Sequence, residues 1–414
     1  MELILVIVTV CLSLAFIFSE TFYRLRHPKV LGQIIAGVFL GLPVFASIMR
    51  SDQVFSFISS LADLGIVFLM LLVGTKISVH RLLKSSKEAM ALALLGYTIP
   101  FAGGFLFMQA LAFLGLLDVG LLASVIVGIC LAISAEAITI EILMEYGMLN
   151  SSVGALIMEA GMIDDLLGVL SLAAVIGYVE GGGIEHITSL PGDFLTFVLV
   201  SYILGFTVLP RAAKAVWKEK SEPAVFSLAI IFGLIIVLLS SFFGLSSVVG
   251  AFIAGVIIQL TVKNRLEEKE IVESLEIVTF GLVIPFFFIY IGLNINLAYT
   301  LENIYLVLAL TFIALSGKMA AAHMLSHIYH VKKSHIPLIG WAANPRGAVE
   351  LVIASIALER NLIGVELFSV IVSMAVLSAI ISPIMFKRTC ESGSCHVEHH
   401  HLKTISDKKA KKPP

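Results

Sequence analysis

Apolar residues along the chain are gathered into long runs that short charged or Gly/Pro-rich joints separate. A helix needs about 20 apolar residues to cross the hydrocarbon core of a bilayer, and most of the runs have about this length. The joints are too short to hold a soluble domain. The pattern predicts an all-α polytopic membrane protein with about thirteen spans, at 3–19, 29–48, 54–74, 88–114, 119–144, 150–179, 192–213, 223–241, 244–262, 272–296, 302–326, 335–358 and 363–386.

Composition supports this interpretation. The chain has 414 residues, of which 59% are hydrophobic and 14% are charged, and its mean hydropathy is +1.03. A soluble domain carries about 25% charged residues. A soluble fold of this length cannot bury so much apolar surface, which excludes a cytosolic enzyme and a nucleic-acid-binding protein. We expect no cofactor.

Lysine and arginine residues are concentrated at alternate joints. Cytoplasmic loops carry the excess of positive charge, whereas the opposite joints offer only Arg50 and Arg360 beside several acidic residues. This asymmetry predicts a cell-membrane protein with its N-terminus outside and its C-terminus in the cytoplasm. Residues 389–414 then form a basic cytoplasmic tail near anionic lipid, and this tail contains Cys390, Cys395 and several histidines.

Ionisable residues far from the ends of a span are costly in a bilayer and mark functional sites. Few residues of this chain qualify, and they fall in four spans. They are Glu136 in span five, Glu159, Asp164 and Asp165 in span six, Lys318 in span eleven, and Arg346 and Glu350 in span twelve.

The adjacent acids Asp164 and Asp165 lie about 12 residues into span six, which is roughly 18 Å along a helix and near the bilayer centre. Neighbouring helical positions point about 100° apart, so the two carboxylates cannot face one partner equally. Lys318 must either pair with a carboxylate or lose its proton when it is buried. A carboxylate of span six is the expected partner.

Spans five and twelve both carry signs of an interruption. Span twelve contains Asn344-Pro345-Arg346-Gly347, in which the proline removes a backbone donor, and span five contains the polar patch Ser134-Ala135-Glu136. The two spans are seven apart, so inverted repeats would relate spans 2–6 to spans 9–13. Paired broken helices in inverted repeats are typical of secondary transporters with an ion site at the midplane.

These residues resemble the monovalent cation/proton antiporter superfamily, nearest to its Kef/NapA-like branch of sodium/proton exchangers, over residues 1–388. Four motifs in their order along the chain give the resemblance. They are Asp164-Asp165, Pro285-Phe-Phe-Phe-Ile-Tyr-Ile-Gly-Leu-Asn294, Lys318 and Asn344-Pro-Arg-Gly347.

The resemblance implies an inverted-repeat fold with two broken, crossing helices. It also implies a homodimer that moves ions by elevator-like alternating access. It also implies a division of the transmembrane domain, 1–388. Core helices would lie at 88–179 and 302–386, dimerisation or scaffold helices at 3–74 and 223–296, and a linker helix at 192–213. The implied function is exchange of Na⁺ for protons, electrogenic because members with two aspartates generally are, in the service of pH homeostasis.

The resemblance also implies roles for individual residues. Asp165 matches the ion- and proton-binding carboxylate, and Asp164 matches the residue that pairs with Lys318. The monovalent cation is expected to bind at Asp164 and Asp165. Glu136, where relatives usually have threonine, and Ser134 are further candidates for binding the ion. The expected compensators of charge in the core are Arg346, Glu350 and Glu159.

Several alternatives remain open at the level of sequence. Li⁺ or K⁺ in place of Na⁺ would leave the same pattern, as would a K⁺/H⁺ antiporter or a Kef-like gated potassium efflux pathway. No Thr-Val-Gly-Tyr-Gly filter motif supports a channel. An intramembrane aspartyl protease needs two facing aspartates, and neighbours on one helix have the wrong geometry for that enzyme.

Overall fold

Long apolar runs become helices in a membrane because each backbone N–H and C=O must find its partner without water. The computed structural model describes residues 2–25, 27–149, 151–180, 190–217, 222–262, 265–329 and 331–394, and within these ranges it contains helices and no strand. The expected all-α architecture is confirmed. The first nine helices are α1 (Glu2–Arg24), α2 (Lys29–Leu40), α3 (Pro43–Met49), α4 (Asp52–Lys76), α5 (Val79–Leu82), α6 (Lys87–Phe113), α7 (Leu121–Ala132), α8 (Glu136–Glu145) and α9 (Ser152–Glu180).

Two of the remaining helices are joined without a gap by a π-helical turn, Thr279–Val283. They are α10 (Leu190–Trp217), α11 (Glu222–Phe242), α12 (Ser247–Thr261), α13 (Arg265–Val278), α14 (Ile284–Leu293), α15 (Leu297–Glu302), α16 (Ile304–Tyr329), α17 (Ile336–Ala342), α18 (Ala348–Glu359) and α19 (Val365–Thr389).

The thirteen predicted spans all overlap helices or helix pairs of this set. In the described ranges nine helical segments are long and apolar enough to cross a membrane, or ten when α2 and α3 count as one bent span. The three other predicted spans differ in recognisable ways. Helix α9 carries three acidic residues in its interior, α12 has 15 residues, and α17 and α18 are two halves of an interrupted span.

The second predicted span is not one continuous helix. Helices α2 and α3 meet at an angle of 89°. The chain between them reads Gly41-Leu42-Pro43, and Leu42 is extended because a residue before proline is pushed out of the helical region. The proline then occupies the first turn of α3, where its missing N–H costs nothing.

Contacts divide the chain into two compact units. The first comprises Met1–Lys84 and Val169–Ile295. Inside this unit α4 packs on α12 and α14, and α2 packs on α14. Two pairs of glycines allow backbones to approach closely, Gly74 with Gly255 between α4 and α12, and Gly37 with Gly292 between α2 and α14. Small residues at such crossings are the usual means of packing helices in lipid.

The second unit comprises Ser85–Gly168 and Asn296–Pro414. Helix α6 packs on α7 and α16, and α19 packs on α16, α17 and α18. Pro100 lies inside α6 and rests on Gly317 of α16, where a larger residue would overlap it. The interrupted pairs α7/α8 and α17/α18 both belong to this unit. The assignment of core, scaffold and linker helices remains a prediction.

Large apolar side chains cover much of the surface of both units. The exposed fraction is 85% for Phe242 in the first unit and 91% for Phe113 in the second. Surfaces of this kind are typical of helices that face lipid, because proteins in water rarely expose large apolar patches. The predicted tail lies outside the described residues from Cys395 onward, and Cys390, at the end of α19, is disulfide-bonded.

We expect Gly255→Ala to destabilise the first unit, because a Cβ atom at this position would overlap the carbonyl oxygen of Leu71 on α4. Overpacking of this kind costs about 1–3 kcal/mol. The measurement is the melting temperature in detergent. Gly192→Ala is the matched control, since a Cβ there meets nothing within 4 Å. Equal melting temperatures for the two variants would contradict the close crossing of α4 and α12.

Candidate functional site

The two interrupted helix pairs cross at their breaks. The backbone N–H of Ala135, between α7 and α8, donates to the carbonyl oxygen of Pro345, between α17 and α18, at 2.7 Å. The hydroxyl of Thr139 donates to the carbonyl oxygen of Ala342 at 2.7 Å. A side chain at Gly347 would overlap the Cβ atom of Ala135, so the crossing is close. The predicted breaks and their crossing are thus confirmed.

Asp164 of α9 is hydrogen-bonded to the first break, between α7 and α8. Its Oδ2 atom accepts hydrogen bonds from the backbone N–H of Ser134 at 2.9 Å and from the Ser134 hydroxyl at 2.7 Å. The same oxygen lies 2.9 Å from Nζ of Lys318 on α16. Asp164 and Lys318 are 3% and 4% exposed. The Oδ1 atom of Asp164 is buried and has no hydrogen-bond partner among the described residues.

Arg346 is also hydrogen-bonded to this break. Its Nη1 atom donates to the carbonyl oxygen of Ile133, just beyond the end of α7, and its Nη2 atom lies 3.4 Å from the carbonyl oxygen of Ala314. A cation at the C-terminal end of a helix interacts favourably with the helix dipole. These contacts fit the predicted role of Arg346 as a compensating charge, which remains a prediction.

Glu350 lies one turn into α18 and is completely buried. Neither carboxyl oxygen has a side-chain partner among the described residues. Glu350 lies close enough to Arg346 and Asp164 for their charges to interact. This proximity fits the predicted role of Glu350 as a compensating charge, which remains a prediction.

Glu136, the first residue of α8, lies against α9. Its Cγ and Cδ atoms are 3.5 and 3.7 Å from the place that a Cβ atom of Gly161 would occupy. Residues four apart share one face of a helix, so the contact with Gly161 places Glu136 on the face of α9 that carries Asp165. Asp165 is 5% exposed, whereas Glu136 is half-buried. The two neighbouring aspartates of α9 thus lie in different surroundings, Asp164 beside Lys318 and Asp165 on the face that Glu136 contacts.

A cavity of about 30 Å³ adjoins these groups. Its polar lining includes Ser134, Glu136, Asp164 and Lys318, and the rest is mainly small or aliphatic residues of α6 and α9. This volume holds one or two water molecules. The cavity therefore offers carboxylate oxygens and little else to a small cation.

Glu159 lies elsewhere. Its Oε2 atom accepts from the backbone N–H of Ser86 at 3.0 Å and from the Ser86 hydroxyl at 2.9 Å. The same hydroxyl caps α6 by accepting from the N–H of Ala89. Glu159 thus fixes the start of α6 and does not line the cavity. Sequence reasoning missed Ser86, although a serine directly before a predicted helix is a capping signal.

We expect removal of either Asp164 or Lys318 to destabilise the protein more than removal of both. An unpaired buried charge costs about 3–5 kcal/mol. Melting temperatures of Asp164→Asn, Lys318→Met and the double variant measure this coupling.

The control is the half-exposed pair of Lys76 and Glu276, whose charged atoms are 2.6 Å apart. A pair near solvent contributes about 0–1 kcal/mol, so Lys76→Met and Glu276→Gln should change the melting temperature little. Strictly additive losses for Asp164 and Lys318 would show that these two groups do not interact.

Known proteins resemble the chain over nearly all of its length. A "Na(+)/H(+) antiporter" of Enterococcus hirae is 27% identical over 366 residues, which cover 88% of this chain and 92% of the relative. A "Na(+)/H(+)-K(+) antiporter GerN" of Bacillus cereus is 26% identical over 367 residues, which cover 88% and 91% of the two chains.

Among solved structures, the sodium proton antiporter MjNhaP1 from Methanocaldococcus jannaschii at pH 8 has a similar fold. The TM-score is 0.72 with 16% identity, and the match covers 94% of this chain and 97% of the other. The family model of the transmembrane sodium/hydrogen exchanger matches residues 7–391. Since this match includes every residue of the crossing and of the cavity, the chain belongs to the sodium/hydrogen exchanger family of membrane transporters.

Proposed function

We propose that the protein is a secondary antiporter, and not an enzyme, that exchanges Na⁺ for protons across the cell membrane. One observation carries the proposal. The buried Asp164 and the half-buried Glu136 line a cavity large enough for a small ion, and Asp164 keeps one oxygen without a partner among the described residues. The names of the relatives support Na⁺ as the cation.

Exchange follows from competition for one carboxylate. A dehydrated cation and a proton both seek the oxygens of Asp165, and the two cannot bind there together. Ser134 and Lys318 already occupy Oδ2 of Asp164, so the free Oδ1 is the oxygen of that residue that remains to contact a cation. Binding of one ion then requires release of the other, which couples the two gradients.

The charge that moves in each cycle depends on Lys318. When Na⁺ enters, it competes with Lys318 for Asp164, and the freed ammonium group can release a second proton. Exchange of two protons for one Na⁺ moves one net charge, which is worth about 2.3 kcal/mol per 100 mV. The exchanger would then be electrogenic.

Elevator-like alternating access is the motion that we assign to this cycle. Every polar group of the site belongs to the second unit, so this unit can carry the ion without dismantling the site. We extend to this chain the homodimeric assembly, the surrounding lipid and the orientation with a cytoplasmic C-terminus that the sequence implies.

Potassium is the second candidate cation. The GerN relative is named as an exchanger of both Na⁺ and K⁺, and carboxylate oxygens accept either ion. A K⁺/H⁺ antiporter or a gated potassium efflux pathway would use the same residues. Parallel assays with Na⁺, Li⁺ and K⁺ separate these functions.

Asp165→Asn should abolish exchange and leave a folded protein, because the neutral amide cannot release a proton to an entering cation. The assay is the recovery of an imposed pH gradient in proteoliposomes after addition of Na⁺. Asp118→Asn, at an exposed position between α6 and α7, should behave as the wild type. Recovery at the wild-type rate in Asp165→Asn would contradict the assignment.

Membrane potential should drive the exchange if two protons move for each Na⁺. An imposed potential of 100 mV should shift the Na⁺ ratio at equilibrium by about 50-fold, since one charge is worth about 2.3 kcal/mol at that voltage. The measurement is the Na⁺ distribution across vesicles whose potential is clamped. A ratio that follows only the pH gradient would show one-for-one, electroneutral exchange.

A further inference from the structure

Two glycines line the cavity, and close packing of helices does not explain them. Gly96 lies in the interior of α6 and Gly161 in the interior of α9. Glycine inside a helix is destabilising relative to alanine, because it loses more conformational freedom on folding. At Gly255 the crossing of two helices is the reason for a glycine, since a Cβ atom there would overlap a backbone oxygen of α4. Gly96 and Gly161 need a different reason.

The atoms nearest to these two glycines belong to side chains of the cavity. A Cβ atom at Gly96 would lie 3.5 Å from both Cδ and Nζ of Lys318. At Gly161 it would lie 3.5 and 3.7 Å from Cγ and Cδ of Glu136. Carbon atoms in favourable contact are about 3.5–4.0 Å apart. An alanine therefore fits at either position, and its methyl group would occupy space beside a charged side chain that lines the cavity.

The volume of one methyl group matters in a cavity of this size. The cavity of about 30 Å³ holds one or two water molecules, and a methyl group is about as large as a water molecule. K⁺ is also about as large as water, whereas Na⁺ and Li⁺ are smaller. The missing side chains thus leave the space that separates a site open to K⁺ from a site that fits only the smaller ions.

We propose that Gly96 and Gly161 set the upper size limit of the transported cation, and that together they admit K⁺ beside Na⁺. The inference rests on the proposed exchange function and specifies its cation. The charge of the cavity comes from the carboxyl groups of Asp164 and Glu136, which attract any of the three ions. The two glycines add no ligand atom, and they determine specificity through the space that they leave.

The experiment measures proton movement in proteoliposomes against the concentration of K⁺, Na⁺ or Li⁺, which gives an apparent KM for each ion. Wild-type protein should respond to all three. In Gly96→Ala and in Gly161→Ala the ratio of the KM for K⁺ to the KM for Li⁺ should rise about tenfold, because one methylene in a pocket discriminates by about 10–200-fold. The melting temperature should stay the same or rise, since alanine favours the helix.

Matched controls lie seven residues further along the same two helices and do not line the cavity. A Cβ atom at Gly103 would overlap the side chain of Ile313, and one at Gly168 would overlap the side chain of Ile133. Gly103→Ala and Gly168→Ala disturb packing, so any loss of transport should be common to the three cations. Their KM ratios should remain at the wild-type value.

A substitution in the opposite direction tests the same limit. Ala93 lies one turn before Gly96 on α6 and also lines the cavity. Ala93→Gly removes a methyl group and enlarges the space, so the KM for K⁺ should fall relative to the KM for Li⁺. This variant keeps the size limit testable even if an alanine at Gly96 or Gly161 prevents folding.

The possible outcomes separate this inference from the proposed function. Wild-type vesicles that move protons with Na⁺ and not with K⁺ would overturn the size limit and leave the exchange function standing. The same conclusion would follow from an unchanged KM ratio in folded Gly96→Ala and Gly161→Ala, or from an equal loss for all three cations. No proton movement with any of the three cations in wild-type vesicles would instead refute the proposed function.

Discussion

The second unit depends on how the backbone of two broken helices is satisfied where there is no water. An interruption in an apolar environment leaves donors and acceptors that each cost free energy if they stay unpaired. Here the two breaks satisfy part of each other's backbone, because the N–H of Ala135 donates to the carbonyl oxygen of Pro345. Asp164 and Arg346 supply two more partners, because the Asp164 carboxylate accepts from the N–H of Ser134 and the Arg346 guanidinium donates to the carbonyl of Ile133.

This requirement explains why charges lie so deep in the protein. Oδ2 of Asp164 accepts from a backbone N–H at the break, whereas its Oδ1 atom has no partner among the described residues. Lys318 stabilises the buried carboxylate, because a lone buried charge costs far more free energy than a paired one. A disturbance of the ion pair is therefore also a disturbance of the crossing. In the proposed cycle, displacement of Lys318 by the cation would therefore also change the hydrogen bonds at the break, because Oδ2 of Asp164 accepts from both Lys318 and Ser134.

Sequence patterns predicted much of this arrangement. Run lengths located the helices, and the Asn-Pro-Arg-Gly segment located the break before α18, because proline cannot continue a helix. The break before α8 has no proline, and the polar residues Ser134 and Glu136 indicated it. Long-range pairing was beyond local patterns. The link from Glu159 to Ser86 follows from which helices lie side by side, and spacing along the chain does not specify that. The bend between α2 and α3 does have a local signal, the Leu42-Pro43 step, which the predicted span limits did not use.

The two neighbouring aspartates show what local helix geometry determines and what tertiary structure determines. The 100° between neighbouring positions of a helix predicted that the two carboxylates would face different partners. It did not predict which. Asp164 reaches the break and Lys318, while Asp165 lies on the face of α9 that Glu136 contacts at Gly161. A glutamate at the start of α8 is also favourable for the helix dipole, so this residue has a structural reason to be there whether or not it binds an ion. Its position on the face of α9 that carries Asp165 is what the dipole does not explain, since a glutamate turned away from α9 would compensate the dipole as well.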